Sequence, residues 1–153
     1  MLRFTKQVDY GLMAMRYIAE HHGGATVSVK RIADEFGIPT ELLAKVLQRL
    51  AKGGLMVGQS GPRGGYRLTL PPSAVTVGQV IRVLEGPLAI VSCVANHGNC
   101  AQASRCTLRK PAGKLQAAIT DLLDTMTLAE LGGDDVPAAL AAKRYGGHDR
   151  PWR

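Results

Sequence analysis

Two helix-periodic runs, Val29–Phe36 and Thr40–Lys52, are separated only by Gly37-Ile38-Pro39, and a Gly/Pro-rich stretch with alternating flanks follows at once. That order leaves few ways to fold. Two short amphipathic helices joined by a Gly-containing turn form a helix-turn-helix. Ser28 suits the cap of the first, with Ile32, Ala33 and Phe36 facing inward and Gly37 as its stop. The second keeps Leu43, Val46, Leu47 and Leu50 on one side, with Thr40, Glu41, Lys45, Gln48, Arg49 and Lys52 mainly on the other. Behind it, Leu55–Gly58 and Tyr66–Leu70 flank Gln59–Gly65, the pattern of a β-hairpin. A basic hairpin after a helix-turn-helix is a wing. The expected fold is mostly α with a small β wing, a winged helix-turn-helix followed by a further long helix.

The flanking segments fit that frame. Thr5 opens a first helix whose buried stripe is Val8, Leu12, Met15 and Ile18, ended by Gly23-Gly24. Thr76 with Gln79 makes a capping box for a helix ending near Glu85, with Gly86 behind it. Its core side is Val77, Val80, Ile81 and Leu84. A longer helix over 111–126 carries the stripe Leu115, Ile119, Leu122 and Met126, and Pro111 suits its first turn. Thr127 and Glu130 form another capping box. The expected division is a DNA-binding unit over 1–72, a cysteine loop and helices over 73–131, and a tail over 132–153 rich in Gly, Pro, Ala and charge.

Charge says what such a fold would meet. Of the formal net charge of +7, residues 1–70 supply ten Lys/Arg against five Asp/Glu. A basic field concentrated there favours a polyanion, although a solvated basic surface gives the same count. The groove-reading candidates are Lys30, Thr40, Glu41, Lys45, Arg49, Arg63 and Arg67. Lys45 and Arg49 can reach bases or phosphates, and Glu41 can accept from the cytosine amino group. Thr40, Lys30 and Arg67 suit phosphates. Arg63, between Pro62 and Gly64-Gly65, suits a narrow minor groove. The expected partner is double-stranded DNA. No apolar run is long enough for a membrane span and the N-terminus lacks a leader pattern, so a cytoplasmic location is expected. No nucleotide-binding glycine motif, metalloprotease motif or nucleophile signature appears, so neither an enzyme nor a small-molecule substrate is expected.

The cysteines number three, all within 93–106: Cys93, Cys100 and Cys106, with six and then five residues between them. An odd count in a reducing compartment argues against disulfides. Thiolates are soft ligands for iron–sulfur clusters and zinc, but zinc sites usually pair cysteines two to four residues apart. Arg105 and Arg109 offset a cluster's negative charge. Three thiolates leave a ligand position open, for which His97 in the loop and Asp9 on the first helix are both candidates; the spacing does not choose between them. Rival readings are a zinc-stabilised DNA-binding protein without sensing and an enzyme or electron carrier that uses the cluster.

The opening Met1–Tyr10, the wing Gly61-Pro-Arg-Gly-Gly-Tyr-Arg-Leu68, the turn Leu84-Glu-Gly-Pro87 and the cysteine loop together resemble the Rrf2 family of regulators. The likeness spans about residues 1–131 and is strongest to members governing iron–sulfur assembly through the SUF system. It implies a homodimer joined along the 111–126 helices, a near-palindromic operator, and a cluster ligated by Cys93, Cys100 and Cys106. In NsrR-like members an aspartate of the partner's first helix completes the cluster, and Asp9 occupies that place. In IscR-like members a histidine stands three residues after the third cysteine; here that residue is Arg109. The implied function is a cluster-dependent repressor of iron–sulfur assembly or iron homeostasis genes, with the cluster a two-iron or a four-iron one. A nitric-oxide-sensing repressor on the same scaffold is the alternative.

Overall fold

The structure, a computed structural model, describes residues 4–21, 25–90, 101–102 and 104–133. Helix α1, Lys6–His21, starts at Thr5, whose hydroxyl accepts from the Val8 amide at 3.5 Å. Val8, Met15 and Ile18 are buried as their spacing requires, with Leu12 at the margin. Gly11 brings α1 close to its neighbours, since a β-carbon there would lie 2.7 Å from Leu84 Cδ1.

Helix α2, Val29–Phe36, is capped by Ser28, which accepts from the Arg31 amide, and stopped by Gly37 in the left-handed region at φ 62°. Ile32 and Ala33 are buried, but Phe36 is 36% exposed. The expectation that it faces inward is corrected. It lies edge-on to Tyr17 at 5.6 Å at the surface, and Ile38, just past the turn, fills the interior instead. Helix α3, Thr40–Lys52, buries Leu43, Val46, Leu47 and Leu50. Gly53 closes it, and Gly54 turns the chain at φ 79°.

Strands β1, Met56–Gln59, and β2, Gly65–Leu68, pair antiparallel from Met56↔Leu68 to Gln59↔Gly65. Val27 adds a third, bridging position. It exchanges two main-chain bonds with Tyr66, at 2.9 and 2.8 Å, which ties the hairpin to the start of α2.

The core continues unbroken across Pro71-Pro72. A 3-10 turn, Pro72–Ala74, leads to Val75 and then to helix α4, Val77–Glu85, whose Thr76–Gln79 capping box forms reciprocally. Val77, Val80, Ile81 and Leu84 join the same core cluster as residues of α1 and α3. Helix α5, Arg109–Thr125, starts two residues before the sequence expectation and takes Pro111 into its first turn. None of its residues is buried: Leu122 and Leu123 are half-covered, and Leu115 is 53% exposed. Gly78 lets α5 close onto α4, where Asp124 meets Arg82 at 2.7 Å. After α5 the chain returns to the core. Val77 donates to Met126, Leu128 donates to Val75, and Leu128 is fully buried. The Thr127–Glu130 cap then sets a last 3-10 turn, Glu130–Gly132.

Candidate functional site

One face of α3 stays free. Glu41, Lys45, Gln48 and Lys52 follow helical spacing along it and all are exposed, as is Thr40 at its start. Their backs are the buried leucines and valine, which fix the helix against α1, α2 and α4. Lys30 is exposed in the first turn of α2. The wing presents Arg63 and Arg67, both exposed. Its tip is braced at two points: the Thr26 hydroxyl donates to the Arg63 carbonyl at 3.1 Å, and the Gly64 amide donates to the Gly61 carbonyl at 2.9 Å. The main chain at Arg63 is thus held while its side chain stays outside.

Arg49 departs from the rest. Its guanidinium donates to the Gln7 side chain on α1 and to the Leu84 carbonyl at the end of α4. Arg49 is exposed as well, and the helical spacing that sets it on the polar side also places it in the last turn of α3, beside two acceptors on other helices.

Of the candidate metal ligands, Asp9 is exposed in the first turn of α1, and Cys106 is an exposed free thiol ahead of α5. Cys93, His97 and Cys100 lie outside the described residues. Among the described residues no three His, Cys, Asp or Glu side chains come together. The structure does define the segment after α4 up to Ile90. Gln116 of α5 donates to the Leu88 carbonyl at 2.7 Å and accepts from the Ile90 amide at 2.8 Å, holding that segment from one side. The Thr5 hydroxyl donates to Glu85 at 2.5 Å. Between these pieces lies a cavity of about 410 Å³, lined by Phe4, Val8, Ile81, Leu88, Ile119 and Leu123. Neither Gln116 nor Thr26 is singled out by sequence reasoning. Gln116 had a signal: it precedes the apolar Ile119 and Leu123 by three and seven positions, so it is a polar residue in line with a packed face.

Two helices joined by a tight turn, a free polar face on the second and a braced basic hairpin behind it define a winged helix-turn-helix. Residues 4–134 match the Rrf2 family, described as an iron-dependent transcriptional regulator. The chain is similar to CymR (YrzC), the global cysteine regulator of B. subtilis, at 30% identity and a TM-score of 0.67, over 86% of this chain and 96% of that one. It is similar to T. potens IscR at 32% identity and a TM-score of 0.65, over 95% and 94%. A protein from Listeria innocua, 24% identical over 98% of this chain and 96% of that one, shares the fold at a TM-score of 0.76. The chain belongs to the Rrf2 family of transcription regulators. No helix among the described residues is long and apolar enough to cross a membrane.

Proposed function

We propose that the chain is a homodimeric regulator of the repressor type, reading a near-palindromic double-stranded operator, whose DNA affinity is set by an iron–sulfur cluster on Cys93, Cys100 and Cys106. Asp9 of the partner subunit is the fourth ligand in this reading. The target genes serve iron–sulfur assembly or iron homeostasis. The observation that carries the proposal is the placing of three thiols, within 93–106, between α4, which packs on the recognition helix, and α5, whose apolar residues are left uncovered. Of the donors the structure describes, the Cys106 thiol and the Asp9 carboxylate are both exposed. Thiolates suit iron, and a carboxylate in a soft donor set is an exchangeable ligand, which favours sensing over electron transfer. When bound, the cluster supplies a cross-link whose loss frees the segments it joins.

The DNA-contacting residues in this reading are Thr40, Glu41, Lys45 and the adjacent Gln48 of α3, Lys30 of α2, and Arg63 and Arg67 of the wing. A two-fold dimer bridged along α5 sets two recognition helices against half-sites about one helical turn, roughly 34 Å, apart. The similarity to T. potens IscR and the iron-dependent description of the family support the metal half of the proposal. The B. subtilis relative is a cysteine regulator by name at nearly the same identity; the three-thiol segment is what favours iron here. Anaerobic purification with iron, sulfide and zinc quantitation and an absorption spectrum tests it. Iron and sulfide in comparable amounts with a visible charge-transfer band support the cluster. Zinc alone, or no metal, leaves a winged-helix regulator without this sensor.

A further inference from the structure

Arg49 lies in the last turn of α3, and the Leu84 oxygen it reaches lies in the last turn of α4. The final carbonyls of a helix have no partner within it, and a cation there also meets the negative end of the helix dipole. Arg49 therefore caps α4 from a different helix. It reaches α1 in the same gesture through Gln7, and a planar guanidinium fork can serve two such acceptors where a lysine ammonium is a single point charge.

From that capped carbonyl, two short routes lead to the candidate cluster ligands. Glu85, the next residue, accepts from Thr5, which opens the helix whose first turn carries Asp9. Further along, Leu88 and Ile90 are both held by Gln116, and Ile90 stands three residues before Cys93. The 410 Å³ cavity lies among these pieces. Discrete polar bonds flank it at the α1 start, the α4 end and residues 88–90.

We propose that Arg49 is a positioning residue that passes the state of the cysteine segment to the recognition helix, and that Gln116 holds the far end of that link. The inference rests on the cluster-dependent reading above. With the cysteine segment fixed, residues 88–90 sit on Gln116 and the end of α4 presents its carbonyl to Arg49, which braces α3. With the segment released, the 88–90 tether loosens, the end of α4 shifts and α3 loses its brace. Such a link is a two-state element biased by ligand, and no contact between cluster and DNA is needed.

The test measures operator affinity of the full-length protein, cluster-loaded and stripped, for wild type, Arg49→Gln, Arg49→Lys and Gln116→Leu, with a footprint of each. Couplings of this kind are about 5- to 150-fold; the wild-type ratio is expected in that range, and Arg49→Gln and Gln116→Leu are expected to bring it within about three-fold of unity. Arg49→Lys restores part of the ratio, and the footprint's base preference does not move. A changed preference at one base position with the ratio intact makes Arg49 a reader. An equal loss of affinity in both states makes it merely structural. Either result overturns the inference. No loaded–stripped difference in the wild type overturns the cluster-dependent reading and this link with it, whereas a wild-type difference that Gln116→Leu keeps in full overturns the link alone. Because Gln116 accepts from the Ile90 amide, hydrogen exchange at that amide is expected to speed up on stripping; equal exchange in the two states also counts against the link.

Discussion

A β-carbon at Gly65 would lie 2.1 Å from the Val27 carbonyl oxygen, and one at Gly64 would lie 2.3 Å from that of Gln59. Both neighbours are backbone, so neither can swing aside: Gly65 lets the wing press against the strand-like Val27, and Gly64 lets the hairpin close on its own first strand. Gly65→Ala is expected to cost about 1–3 kcal/mol in urea unfolding and to weaken operator binding both at A·T-rich steps and elsewhere, because it detaches Arg63 and Arg67 together with the wing. Arg63→Ala leaves the wing's braces in place, since they use the main chain of that residue. Its effect should fall mainly on A·T-rich steps, where a narrow minor groove favours an inserted cation; a footprint weakened uniformly would reduce Arg63 to a phosphate contact. The caps are a calibration of the same kind. Thr76→Ala removes half of a reciprocal capping box and should lower stability by about 1 kcal/mol without touching DNA specificity. Cap and turn residues were legible in the sequence because their chemistry is local. The contacts of Arg49, Gln116 and Thr26 were not, because each acts across 26 residues or more of chain.

Among the elements, α5 stands apart. Its stripe Leu115, Ile119 and Leu122 follows helical spacing as closely as the buried faces of α1 and α3, yet Leu115 remains 53% exposed and Leu108, just before the helix, 69%. An amphipathic helix with an uncovered apolar face is the element through which the proposed homodimer forms. Leu115→Asp is expected to shift the protein to monomer in sedimentation equilibrium while its far-UV circular dichroism stays unchanged, since that side chain contributes little to the core within one chain. A dimer that persists in this variant would place the interface elsewhere. The period of the apolar residues revealed the helices and the hairpin, and three of the helix starts carried readable caps. Periodicity could not say that α4 joins the core of α1 and α3, that Val27 bridges to Tyr66, or that Leu128 brings the chain back beneath α4. Those are long-range contacts, so no window of sequence contains both partners.

At the scale of the molecule, the winged helix-turn-helix and the elements on either side of the cysteine segment, α4 and α5, are packed together. The core crosses Pro71-Pro72, α4 packs on both α1 and α3, and Arg82–Asp124 and Gln116 fasten α5 to what precedes the cysteines. In the proposed reading, an event at residues 93–106 reaches α3 through these contacts, which separate domains on a flexible linker would lack. The basic excess over residues 1–70 adds a sequence-independent attraction that falls steeply with salt, so a comparison of states has to be made at one fixed ionic strength. The most direct measurement is operator binding by a single anaerobic preparation, divided into a cluster-loaded half and a half stripped by a chelator under reducing conditions. Tighter operator binding by the loaded half, restored when iron and sulfide are returned to the stripped one, is the result this account predicts. Equal affinity in the two halves, with iron and sulfide shown to be present in one and absent from the other, would contradict it.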